Sequence, residues 1–163
     1  MENSIKPAID NLKIQNVNLR GSTISIRDGV DAINISNLKT LSQSYQSVVK
    51  MHESELTFQE DDRTLWQYVF EYAIGIRLIL PGEEEQGTQP DFEPILEIAA
   101  TFSARYLSND KLPQECLNAF GNENVGYHVW PFWREYAHSS CSKIGLSSVI
   151  DIPLYKVSKN GQK

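Results

Sequence analysis

The chain has 163 residues, of which 40% are hydrophobic and 22% charged, and its net charge is −6. That length suits one domain with its own hydrophobic core, while 15 Lys+Arg against 21 Asp+Glu supply no basic face for neutralising phosphates, which argues against a nucleic-acid binder. No apolar run is long enough to span a bilayer, and no apolar segment follows Met1-Glu2-Asn3-Ser4 to make a signal peptide, so the cytoplasm is the expected compartment.

Residues 1–11 read as a flexible leader or a single helical turn. Leu12, Ile14, Val17, Leu19, Ile24 and Ile26 mark a first strand whose alternation slips near Asn16 and Gly21, so bulges are expected there. Asp28-Gly29 closes it with turn chemistry. Residues 30–45 space Ile35, Leu38, Leu41 and Tyr45 helically among polar residues, which predicts a connection containing a helical turn. A second strand follows over 48–58, with Val49 and Met51 on one phase and Leu56 and Phe58 on the other, again asking for a bulge. The acidic stretch Gln59 to Arg63 reads as a solvated turn, since it lacks the alternate ligands and central glycine of a calcium loop.

The plainest periodicity lies in the next two strands. Trp66, Tyr68, Phe70, Tyr72, Ile74, Ile76, Leu78 and Leu80 all fall on even numbers, and so do Leu96, Ile98, Ala100, Phe102, Ala104 and Tyr106. Two matched faces of this kind predict a long antiparallel hairpin, buried on one side and wet on the other. Its tip, from Pro81 to Pro90, is expected to be acidic and mobile. Pro113 then opens a short helix ending at Gly121. A second helix starts near Asn124 or Trp130, with Pro131 at its entry or at a kink, and runs to Lys143 with Gly145 as its stop. Val149 to Tyr155 is extended, and 156–163 is a polar, basic, flexible tail.

Enzyme chemistry finds little support. His138 and Cys141 are neighbours at i and i+3, but no partner orients a base and nothing forms an oxyanion hole. Cys116 and Cys141 read as buried thiols, and no histidine spacing suits a metal. No Gly-rich phosphate loop is present, so neither cofactor nor metal is expected. Instead, the amount of apolar strand surface exceeds what one helix covers, which points to a homo-oligomeric binding or assembly protein.

The order of strands followed by a helix opening on Trp130-Pro131-Phe132-Trp133-Arg134-Glu135 resembles the SecB family of export chaperones. Gly145 and the close Ile152-Pro153-Leu154 are similar to the family's Gly-then-Leu-Pro ending, and Leu12 to Val17 to its first strand. The resemblance implies an α+β fold of one domain over 1–163, a four-stranded antiparallel sheet with helices packed on one face. It implies an ATP-independent holdase for unfolded or nascent chains, assembling as dimers or tetramers. A peptide groove would fall on Ile33, Ile35, Leu38, Leu41, Val49 and Met51, and the subunit interface on Trp130, Trp133, Arg134, Glu135 and Tyr136. Export members continue beyond this point into a second helix and an acidic tail that meets the SecA motor. Here Lys156, Lys159 and Lys163 follow Asp151 with no further acid, which puts SecA delivery in doubt and is more like SecB-like chaperones that protect an antitoxin.

Overall fold

The structure, a computed structural model, describes residues 2–146, 148 and 150–155. Its elements in chain order are α1 (Glu2–Asn11), β1 (Lys13–Ile26), a 3₁₀ turn (Ala32–Asn37), β2 (Leu41–Phe58), β3 (Arg63–Ile79) and β4 (Leu96–Ser108). After β4 come α2 (Gln114–Phe120), a five-residue π-helical segment (Gly121–Val125) and α3 (Gly126–Lys143). The strands form one antiparallel sheet in the order β1-β4-β3-β2.

The even-numbered rows of β3 and β4 face the helices and are almost wholly buried, as their alternation predicts. Register explains the irregular spacing in β1. Shifts between Ile14 and Asn16 and between Leu19 and Gly21 place Ile14, Val17, Leu19, Ile24 and Ile26 opposite Tyr106, Ala104, Phe102, Ile98 and Leu96. Two bulges thus turn an uneven sequence into one apolar row. In β2 the register shifts once, between Val48 and Lys50, which is earlier in the strand than the phase change from Met51 to Leu56 suggests.

Four expectations need correcting. Residues 2–11 are a ten-residue helix rather than a flexible leader, with Ile5, Ala8 and Leu12 on one buried row against α2. The strand expected from Val48 begins at Leu41, and the helical turn before it is confined to 32–37. The tip between β3 and β4 is pinned rather than loose. Arg27 donates to both Glu83 carboxylate oxygens at 2.9 Å, Arg77 donates to the Gly87 carbonyl at 2.8 Å, and the Phe92 ring lies near both guanidinium groups. The hydrogen bond from Arg27 holds the Glu83 carboxyl below its ordinary range.

The fourth concerns Gly121, which is not a helix stop. It keeps right-handed helical angles, and a Cβ there would lie 3.2 Å from the Phe70 ring, so its role is to let the helix approach the sheet. The true stop is Gly145, with φ of 77°. Leu146 N donates to Cys141 O and Gly145 N to Ser142 O, the paired bonds of a Schellman cap. The expected tail, 156–163, lies outside the described residues.

Under α2 and α3, Phe70, Tyr106 and Phe120 meet edge-on or tilted at 5.2 to 6.0 Å between ring centroids. Tyr106 Oη lies 2.9 Å from His128 Nδ1. Burial raises the phenol's pKa and lowers the imidazole's, so a neutral pair with Tyr106 as donor is favoured. On the opposite face of the sheet Glu71 bridges Arg20 and His52.

Candidate peptide-binding margin

Between α3 and the helix side of β2 lies a groove that the chain partly fills with itself. Residues 150–155 occupy this groove without regular secondary structure, and Ile152 is only 3% exposed. Two side chains one turn apart on α3 hold them there. Trp130 Nε1 donates to the Pro153 carbonyl at 2.8 Å, and Arg134 Nε donates to the Ile152 carbonyl at 3.1 Å. The Tyr155 ring sits 5.4 Å from Trp130 and 6.0 Å from Tyr127.

Two cavities continue along this margin. One of about 120 Å³ lies between Ser42, Ser44 and Gln46 of β2, the indoles of Trp130 and Trp133, and Ile152-Pro153. The other, about 240 Å³, is lined by Ile35, Leu38 and Thr40 on one side and Leu146, Ser148 and Ile150 on the other, with Leu78 as its apolar wall. Ser42, Ser44 and Gln46 pair with Leu78, Ile76 and Ile74, so β2 turns a polar row toward the helices at this end.

Gly126 matters to the seat of Tyr155. A Cβ there would lie 2.5 Å from Tyr72 Oη and 2.9 Å from Tyr155 Oη, so both phenols depend on the missing side chain. Burial, and secondarily the neighbouring Tyr155, push the Tyr72 phenol up to about 12.

The expected groove residues do not converge on one point. Ile35 and Leu38 line the larger cavity, although Ile35 also belongs to the core. Ile33 is exposed on the same 3₁₀ turn. Leu41 pairs with Ile79, on the sheet face opposite to Leu78. Val49 is at the bulge and exposed, and Met51 packs over Phe70 on the helix side. At strand geometry, Leu41 and Val49 are about 25 Å apart.

The aromatic run on α3 divides as well. Trp133, expected at a subunit interface, is 2% exposed and buried within the chain's own core. Tyr136 packs against Phe102, and Trp130 and Arg134 are engaged with residues 152 and 153. Phe132 and Glu135 face solvent. Sequence reasoning assigned no role to Ile152, Pro153 or Tyr155 in this groove, and the extended character of 149–155 was the only available sign.

Cys141 and Ser140 are buried while His138 is only partly so, and among the described residues no group of His, Cys, Asp and Glu could hold a metal ion. Cys116 is likewise a buried free thiol.

This architecture is SecB-like: a four-stranded antiparallel sheet with its helices on one face. It matches the structure described as Mycobacterium tuberculosis Rv1957 SecB-like chaperone in complex with a ChAD peptide from Rv1956 HigA1 antitoxin, with a TM-score of 0.62. The match covers 94% of this chain and 99% of that one at 10% sequence identity, so what is shared is the fold. No protein-family model matches the sequence, and the search of curated proteins finds no match.

Proposed function

We propose that this protein is an ATP-independent holdase, not an enzyme, that binds extended apolar segments of unfolded or nascent polypeptides in the cytoplasm. The observation that carries this reading is the β2 margin, where a SecB-like sheet and helix layer leave a cavity whose apolar lining is Ile35, Leu38, Leu78, Leu146 and Ile150. Ser36, Thr40 and Ser148 alternate with these apolar walls, a mixture that suits the side chains and main chain of an extended peptide, and the edge strand β2 lies beside them. The remaining groove positions, Ile33, Leu41, Val49 and Met51, would extend contact along a long client rather than form one pocket.

Homo-oligomerisation belongs to the same proposal. Ile14, Leu19 and Ile24 on β1 and Phe132 on α3 are exposed, and a second copy is the partner that would cover them. Dimer or tetramer formation would rest on this β1 side, with Glu135 at its polar rim.

The direct test is suppression of light scattering from an aggregating client, together with sedimentation of the protein alone. Assembly without suppression, at equimolar and higher chaperone, rejects the holdase in favour of a plain oligomeric scaffold. A more specific reading makes the client an antitoxin, and the peptide bound to the SecB-like neighbour favours it. In that case one partner would be retained from cell lysate far above a background of general clients. Delivery to SecA is not part of the proposal.

A further inference from the structure

We infer that Ile150–Tyr155 is an internal placeholder for client peptide, and that Trp130 and Arg134 are the clamps that would grip a client's main chain in its place. The inference rests on the holdase reading and specifies how that site is gated.

The argument starts from what the clamps touch. Trp130 Nε1 and Arg134 Nε are bonded to backbone carbonyls, those of Pro153 and Ile152, and to no side chain of the segment. A carbonyl is present in every residue of every client, so such a grip is indifferent to sequence. The side chains of the segment are read at three places, the first being Ile150, which is half-buried against the core beside the larger cavity. Ile152 is buried beneath the clamps, and Tyr155 fits between Tyr127 and Trp130. Asp151 is exposed, and Leu154 is 72% exposed. The seat therefore suits a segment with two apolar residues at alternate positions, the second followed three positions later by an aromatic one, with little restriction on the residues between them.

The segment is also held in a way that permits exchange. Two side-chain hydrogen bonds, the apolar side chains of Ile150 and Ile152 and one aromatic bracket fix it, and none of its residues belongs to a strand of the sheet. Releasing it leaves β3, β4 and α3 intact. It exposes two donors and an apolar hole, which is the surface an extended client needs. Occupancy by the chain's own segment keeps that surface from self-association while no client is present, and lowers apparent client affinity by the fraction of time the seat is filled.

The test uses the full chain, a fluorescein-labelled peptide with the sequence Ile150–Tyr155, and reduced, carboxymethylated lactalbumin as an unfolded client. Ile152→Asp should bind the peptide about tenfold more tightly than the unaltered chain, the change expected if the internal segment fills the seat nine-tenths of the time. Adding Trp130→Phe and Arg134→Met to that variant should abolish the gain, and the unfolded client should displace the peptide. Equal affinities for the two chains, retention by the triple variant, or failure of the client to compete would each overturn the placeholder. If Ile152→Asp does not fold, hydrogen exchange on the unaltered chain decides. The unfolded client should deprotect 150–155 while β3 and β4 stay protected, and unchanged protection with client bound overturns the inference. Failure of the holdase reading is a separate result. Scattering would then go unsuppressed by the unaltered chain and by Ile152→Asp alike, even where the labelled peptide still binds.

Discussion

β1 and β2 are both edge strands of one sheet, yet they meet the helix layer differently. β1 turns Ile14, Leu19 and Ile24 toward it and leaves them partly exposed, because α3 reaches only part of that strand. β2 turns Ser42, Ser44 and Gln46 toward it, and the chain lines the adjoining cavity with Ile152 and Pro153. An apolar row without cover suits a partner that stays, since burying it is favourable by about 25 cal/mol per Å². A polar row beneath a main chain held through two carbonyls suits a partner that comes and goes. Between them, β3 and β4 are covered on the helix side by α2 and α3 and form the stable centre on which both margins depend.

The largest effect should come from breaking that centre. Trp133 is buried, so Trp133→Ala should destabilise the protomer by about 3–5 kcal/mol. Urea unfolding of the dilute protein reads this directly. An unchanged midpoint with altered sedimentation would return Trp133 to the subunit interface and erase the distinction between centre and margin.

A smaller effect should appear at the join between the centre and the β2 margin, and it depends on pH. Tyr72 ionises at about 12 in the folded chain against an ordinary 10.0. Between those values the unfolded chain loses a proton that the folded chain keeps, so stability falls as pH rises. The contribution is complete below pH 10 and lost by about pH 12, and two pKa units correspond to about 2–3 kcal/mol. Urea melts through this window should show the slope, and Tyr155→Phe should reduce it, because Tyr155 is the secondary cause of the shift. A slope unaltered by that substitution would separate Tyr72 from the segment over α3.

The smallest change in protomer stability belongs to the β1 margin. Leu19→Asp replaces a side chain that is 47% exposed and should change unfolding by only about 0.5 kcal/mol, while shifting the sedimentation profile toward monomer. Loss of fold instead would mean that β1 belongs to the centre.

Much of this centre was legible in sequence. The even-numbered rows of β3 and β4 alternate because both are packed under helices, and the slips at Asn16 and Gly21 mark real bulges because the β1 apolar row has to stay on one face. Gly145 also reads correctly, since its cap is local. What was not legible depends on partners distant in the chain. Residues 41–47 lack an apolar alternation because β2 is polar on its helix side there, and Leu41 and Tyr45 mimic helical spacing while Tyr45 lies over Gly75. Gly121 looks like a stop and is instead a close approach to Phe70. Ile35 and Leu38, which line the larger cavity, were pointed to by the family resemblance, while their spacing by itself indicated only a helical turn. The roles of Trp130 and Arg134 were not legible, because the acceptors they use are backbone carbonyls, which every residue has and no pattern marks.

The two bulges in β1 carry a consequence for solubility. A flat, regular edge offers unpaired N–H and C=O groups at a constant repeat, and any passing strand can pair with it and leave a new edge for the next. β1 breaks that repeat twice within fourteen residues, so its hydrogen-bonding ladder matches no unbroken strand along its full length. The same irregularity that aligns its side chains into one apolar row makes its backbone a poor template for fibrous growth. A protein that keeps sticky surface available at both margins thereby limits which kind of stickiness can propagate.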